Sequence, residues 1–365
     1  MNPSFNPNSK KGIDKAGNYI SKRARNKIQY STENDAAAFN AMHLWRMRHK
    51  GPLNSIRQQI NKVLKQLGIS KTVIVATRLK RSTSILNKLL RNESMELAQM
   101  QDIAGARVIL KNKKQVDDFY RLFATVRKIN PLSSSYIIKK EYDYVSQPKS
   151  DGYRSYHIVC AYQSKAQKST ASGLLVEVQI RTRYQHIWAT AVEVMGLYQG
   201  IHLKSGEGDE LILEFFRLCS AVISLLEKTP LHHDYAKMSE DEIKTRLVRL
   251  EKKTGILAAL ESFNAIDNAV ENNLSKANIG KKIGCYLFIF NKESNKLRVR
   301  PFLNSEFYKA SELYKNYEEQ IRMGAPLDVV LITTSDRKKL KKAYPNYFAD
   351  TRVFCYLIRM FAFPK

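Results

Sequence analysis

The segment "LLVEVQIRT", residues 174–182, decides the fold. Val176, Val178 and Ile180 fall on one face of an extended chain, and Glu177, Gln179 and Arg181 on the other. A helix would spread these residues around its circumference, so the segment predicts a strand with one buried and one polar face. Just upstream, "QPKSDGYRSYHIVCAY" (147–162) passes from a turn-forming run, Pro148, Ser150, Asp151 and Gly152, into a second alternating strand. "TVIVATRLK", "ARVIL" and "SYIIKKEYDY" read as three more strands. The helical patterns "STSILNKLLRN" and "KKQVDDFYRLFATVRK" lie between the first three. Interleaving of this kind predicts an α/β (α+β) chain with a mixed five-stranded sheet flanked by helices.

Around that sheet the text turns helical. "ENDAAAFNAMHLWRMRH" and, after Gly51-Pro52, "SIRQQINKVLKQLG" precede it, and "ELILEFFRLCSAVISLLEK" follows. A further long helix opens on a capping box formed by Ser239 and Glu242. "NLSKANIG" reads as a linker to a second, small α/β unit with strands at "CYLFIFN", "KLRVRPF" and "DVVLITT" and a helix at "FYKASELYKNYEEQIR". Three stretches are therefore expected: a flexible basic arm at 1–30, a main unit at 31–272 and a small unit at 273–365.

The 61 Lys and Arg residues outnumber 34 Asp and Glu, and the net charge of +27 attracts polyanions. Positions 36–92 hold twelve bases and no acid, which points to a nucleic-acid partner. Cys160, Cys219, Cys285 and Cys355 lie far apart, without zinc or disulfide spacing, and are expected as reduced core residues. No segment is apolar for the length a bilayer requires, so no membrane partner and a cytoplasmic location are expected.

A half-buried strand alone would explain the polar face of residues 174–182. Asp102, however, stands just before the strand "GARVIL", whose Arg107 points away from its apolar set. Two carboxylates at strand ends among bases suit Mg²⁺ held by one or two acids and by substrate phosphates. "RLKRSTSILNK" adds Arg78, Lys80 and Arg81 at a strand end and Lys88 on the next helix, near an N-terminus that Ser82 is expected to cap. The set suits a nucleoside triphosphate.

These segments in order, R-x-K-x-x-x-S-I-x-x-K, D-I-x-G-x-R-V, D-G-Y-R-S-x-H and V-E-x-Q-I-R-T, resemble the synthetase domain of the RelA/SpoT family over about residues 77–196. The resemblance implies a nucleotidyltransferase-like sheet that moves the β,γ-pyrophosphate of ATP onto the 3′-hydroxyl of a nucleotide. It implies that Asp102 and Glu177 hold Mg²⁺, that Glu177 activates the acceptor hydroxyl, and that Arg78, Lys80, Lys88 and Arg107 clasp ATP. Tyr153 would stack on the acceptor base, with Gly152 admitting the ring and Arg154, His157, Gln179 and Arg181 close by. Where the family commonly has Asn-Gly-Tyr, this chain has Asp151. No metal-hydrolase site is expected: "LHHDYA" pairs His233 with Asp234 but lacks a further histidine at matching distance, so these read as surface residues.

Within the family, "WRMRHKGPL", "QHIWATAVEVMG" and "YPNYFADTRVF" look most like the fused toxin-antitoxin branch, the capsid-activated Rel-type proteins. That likeness implies the 3′-CCA end of tRNA as acceptor and a C-terminal pseudo-zinc-finger-like unit acting as antitoxin in cis. It further implies a clamp on the ATP site through Tyr344 and Tyr347, lifted by a phage protein such as capsid. Two alternatives stand beside this reading: a GTP/GDP pyrophosphokinase making the alarmone (p)ppGpp, and a non-catalytic RNA-binding module, against which the intact Asp102 and Glu177 argue.

Overall fold

Residues 174–182 are extended because one side of them is enclosed: Val176, Val178 and Ile180 pack with Ala106, Val108, Ile158 and Cys160 of neighbouring strands. The computed structural model describes residues 5–29, 31–125, 135–164, 169–199, 203, 208–261, 283–291, 296–333 and 351–363. All five expected strands are present: β1 (Ile74–Leu79), β2 (Ala104–Leu110), β3 (Tyr136–Asp143), β4 (Tyr156–Tyr162) and β5 (Leu175–Thr182). The later strands are β6 (Ile283–Asn291), β7 (Lys296–Leu303) and β8 (Leu327–Thr333).

The sheet runs β3-β4-β5-β2-β1-β8-β6-β7. Of its pairs only β2–β5 is parallel, which makes the sheet mixed. Register brings Arg78 opposite Gly105 and Gly105 opposite Glu177. Arg107 meets Gln179, and Gln179 meets His157. The polar residues of four adjacent strands thus share one region of the sheet, because side chains directly opposite in register point to the same face.

The helices, in chain order, are α1 (Lys10–Ala24), α2 (Thr32–Arg48), α3 (Lys50–Gln66), α4 (Ser82–Arg91), α5 (Lys113–Tyr120), α6 (Arg183–Gln199), α7 (Glu210–Glu227), α8 (Glu240–Thr254), α9 (Phe307–Arg322) and α10 (Arg352–Ala362). Pro52 lies in the first turn of α3, where its missing N–H has no helical partner to lose. The α8 capping box forms as expected, with the Ser239 N–H donating to Glu242 at 2.7 Å and the Glu242 N–H to Ser239 Oγ at 3.2 Å. All four cysteines are buried and free. Among the described residues no helix is long and apolar enough to cross a membrane.

One expectation about organisation is corrected, and the docking of the small unit, which the sequence left open, is seen. The first thirty residues hold a packed helix rather than a flexible arm: Ile13, Ala16, Gly17 and Ile20 recur at helical spacing and are buried, in a cluster with Ala38, Ala41, Met42 and Trp45 of α2. Ser9 caps the helix, accepting from the Gly12 N–H at 3.0 Å, and the many lysines lie on its outer face. The second unit also does not stand apart. β8 continues the main sheet, with Arg78 opposite Ile332, and α10 places Phe354, Cys355 and Ile358 in the core of α6, α7 and α8. What lies between is, among the described residues, an antiparallel three-stranded extension covered by α9. The expected linker at 273–280 and the "YPNY" stretch with Tyr344 and Tyr347 lie outside the described residues.

Candidate active site

Arg78 and Lys80 from the end of β1, Asp102 from the turn before β2, Arg107 from β2, and Glu177 and Gln179 from β5 line one cavity. The Lys80 N–H donates to the Ile103 carbonyl at 2.8 Å, which pins the end of β1 to the turn carrying Asp102. Lys80 Nζ lies 2.6 Å from one Asp102 oxygen, and Lys88 Nζ, from α4, lies 2.9 Å from the other. Burial pushes the Asp102 carboxyl up, but the two ammonium groups more than offset this and hold it well below the usual carboxylate range. Burial lowers Lys80, and Asp102 only partly restores it.

Glu177 sits in a closed ring of five side chains. His157 Nδ1 lies 3.0 Å from Glu177 Oε1, and Gln179 Nε2 donates to Glu177 Oε2 at 2.6 Å. Arg181 donates to Gln179 Oε1 at 3.0 Å and also to the Tyr153 hydroxyl, which lies 2.8 Å from His157 Nε2. One proton assignment is consistent with every contact of the ring: His157 donates from Nδ1 to the carboxylate, and Tyr153 donates to Nε2 while accepting from Arg181 Nη2. Burial raises the Glu177 carboxyl, yet the His157 and Gln179 bonds bring it below its ordinary value against opposition from nearby Asp102. The result is an ionised, oriented carboxylate in a low-dielectric setting.

Two acids in one cavity, one already neutralised by paired cations, fit a divalent ion that takes one or two carboxylates and completes its shell with phosphates and water. Among the described residues the group with three potential ligands is instead His232, His233 and Asp234. There His233 Nε2 lies 2.9 Å from Asp234, and His232 Nδ1 accepts from the Asp234 N–H at 3.3 Å. His233 is exposed as expected, but His232 is buried beside Tyr235.

The structure reassigns part of the expected acceptor side. Tyr153 is only 8% exposed and packs edge-on to His157 and against Trp188, so its ring is not displayed for stacking. Arg154 faces away into the fold, where it donates to Ser220 Oγ at 3.1 Å and to the Val145 carbonyl at 2.9 Å. Burial lowers it to about 10, and its place is the seam between the 147–156 loop and α7 rather than a ligand pocket. Gly152, at φ +88°, is required by that same seam: a Cβ there would meet Ser220 Cβ at 3.1 Å and Arg217 Cα at 3.2 Å. Its role is close helix packing, not admission of a ring. The rings beside Glu177's network that remain half-exposed are Tyr144 and Tyr142, stacked 5.7 Å apart at 6°, with Lys149 Nζ 4.5 Å from the Tyr144 centroid. The alternation in "EYDYV" was the available signal for them.

Ser82 does not cap α4 either. Arg81 holds the cap position, and Ser82, the first helical residue, is engaged by Glu318 of α9. Arg46, Ser82 and Glu318 form a buried contact that no local pattern announces, because its members are 36 and 236 residues apart.

Residues 77–201 match the model of the region found in RelA / SpoT proteins. The chain is 36% identical over 121 residues to GTP pyrophosphokinase YjbM of Bacillus subtilis, covering 32% of this chain and 52% of that protein. It is 30% identical over 119 residues to GTP pyrophosphokinase YwaC of the same organism, covering 31% and 53%. The chain thus spans about half the length of these curated relatives. Among solved structures, the small alarmone synthetase 1 of B. subtilis bound to its product pppGpp is 26% identical at a TM-score of 0.40, covering 50% of this chain and 90% of that one.

Proposed function

We propose that this chain, whose residues 77–201 carry the region found in RelA / SpoT proteins, transfers the β,γ-pyrophosphate of ATP to a 3′-hydroxyl. One observation carries the proposal: an ionised Glu177, oriented by His157 and Gln179, lines the same cavity as Asp102, Arg78, Lys80 and Arg107. The cations suit a triphosphate, and Lys80 and Lys88 are already placed beside the acid. Mg²⁺ held by Asp102 and Glu177 would draw charge from the phosphate oxygens. Glu177 takes the proton of the acceptor hydroxyl, whose oxygen then bonds to the β-phosphorus while the α–β bridge breaks. AMP leaves, and the acceptor gains pyrophosphate.

For the acceptor we favour the CCA end of tRNA, supported by the +27 net charge and the acid-free stretch 36–92. Not all of that stretch is a free surface: Arg46 is buried, and Arg48 donates to the carbonyls of Pro7 and Thr170. Lys62, Lys65, Lys71 and Arg91 remain exposed. A guanosine nucleotide is the second reading, favoured by the names of the relatives. Incubation with γ-labelled ATP and either deacylated tRNA or GDP plus GTP decides between them. Label on tRNA supports the first reading; label confined to guanosine nucleotides establishes the second. As part of the same proposal, the C-terminal stretch inhibits the site in cis through Tyr344 and Tyr347, and a phage protein such as capsid releases it.

A further inference from the structure

The α4 N-terminus, which borders the cation cluster, already holds an anion supplied by the chain itself. The Glu318 carboxylate accepts from the Ser82 N–H at 2.7 Å and from the Ser82 hydroxyl, and Arg46 Nη1 lies 3.0 Å from it. The contact is built rather than incidental. Arg46 is 3% exposed and spends its remaining donors on the Lys80 carbonyl at 2.7 Å, Ser82 Oγ at 3.0 Å and the Tyr314 hydroxyl at 2.9 Å. The Tyr314 hydroxyl in turn donates to Glu318. Around it, α9 lies along α2 through Ser311 on Met47, Lys315 on Asn40 and Arg322 over Phe39.

Three features match what a phosphate oxygen would find there: a helix N-terminal amide, a hydroxyl, and one N–H of a buried guanidinium. The residue on either side of the seat belongs to the proposed ATP clasp, since Arg46 grips the backbone of Lys80, and α4 carries Lys88. We propose that Glu318 is a removable internal anion occupying a phosphate seat, so that the docked α9 competes with a nucleoside triphosphate for the N-terminus of α4. The inference rests on the ATP-dependent reading above, and it names a contact of α9 distinct from "YPNY". Competition of this kind is reciprocal: whatever factor Glu318 subtracts from triphosphate affinity, bound triphosphate subtracts from α9 docking.

The test uses the full chain, with ATP and inorganic triphosphate as probes. Glu318→Gln keeps the size of the side chain and removes its charge; it is expected to bind either probe about tenfold more tightly, the order of effect of a coupling worth about 1.4 kcal/mol. Because that change also leaves Arg46 without its partner, Tyr314→Phe, which loosens the seat while keeping both charges, is expected to shift affinity the same way by less. In the unaltered chain, hydrogen exchange across residues 307–322 should accelerate when triphosphate is added. Equal affinity in all three chains, or weaker binding by Glu318→Gln, overturns the proposal and leaves the contact as a support for the clasp. So does unchanged or slower exchange of α9 with probe bound. Failure of every chain to bind either probe would refute the ATP-dependent reading as well, whereas tight binding without any transfer would refute that reading alone.

Discussion

Glu177 gathers its meaning from what holds it. Glu177→Gln preserves the shape of the ring but cannot accept a proton, and the loss in transfer rate is expected to be about 10²- to 10⁴-fold with an unchanged melting temperature. Near-normal rates would remove Glu177 as the base. Because the Glu177 and Asp102 carboxyls both lie below their ordinary values, each stays ionised as pH falls through the ordinary carboxylate range, and any stability that their pairing gives is lost only below it. No acid limb from either group is therefore expected in a pH–rate profile above about pH 4.3; a limb near pH 6 traced to either carboxylate would contradict this. Arg154 yields a different prediction from the one its sequence position suggests. Arg154→Met should lower stability, since Ser220 and the Val145 carbonyl lose a buried donor, yet leave the acceptor KM unchanged in whatever fraction stays folded. A raised KM at normal stability would return Arg154 to the site. Sequence reading placed Asp102, Glu177, Lys80 and Lys88 correctly beside one another because each sits at a strand end or on a short helix fixed by local pattern. It misplaced Arg154, and it did not foresee the burial of the Tyr153 ring, because a residue after a turn glycine can face either way and only packing decides which.

At the scale of elements, alternation made β5 legible, since it buries a face that a register slip would expose, whereas β4 proves buried on both faces. The helix α1 was hidden by its lysines, although Ile13, Ala16, Gly17 and Ile20 carried the spacing. The junction of α2 with α9 could not be read at all, being a contact between distant segments. That junction makes a measurable prediction through His43. It is buried beside Arg46, Glu318 and Lys315, and burial, aided by Arg46, lowers it to about 4. His49, in the turn between α2 and α3, is likewise lowered by burial to about 4. A histidine lowered in the folded state is protonated first in the unfolded chain, so stability holds above about pH 6.5 and declines as pH falls from there towards 4. Thermal melting followed across that window should show the decline, and His43→Gln should reduce it to the part that His49 contributes. A melting temperature constant from pH 7 to 5 would contradict the burial of both rings in neutral form.

For the whole molecule, the eight-stranded sheet joins the part carrying the site to the C-terminal strands through β1 and β8, and the α9 contact closes beside the same strand end. Cutting the chain after residue 261 would bare the β1 edge and strand the buried Arg46 charge, so truncation is expected to cost folding as well as regulation. Point changes at Glu318, Tyr314, Tyr344 and Tyr347 are the cleaner probes. If tRNA is the acceptor, its affinity should fall steeply with salt, because each phosphate neutralised by an exposed Lys or Arg releases counterions; a flat salt dependence would leave the guanosine reading. The central claim concerns which bond of ATP breaks, and one measurement reaches it directly: chromatography of the nucleotide products after the chain has consumed ATP in the presence of tRNA and of GDP plus GTP. The account predicts AMP in equal amount to acceptor carrying a new pyrophosphate, both abolished in Glu177→Gln. Formation of ADP instead, or consumption of ATP that persists in Glu177→Gln, would contradict it.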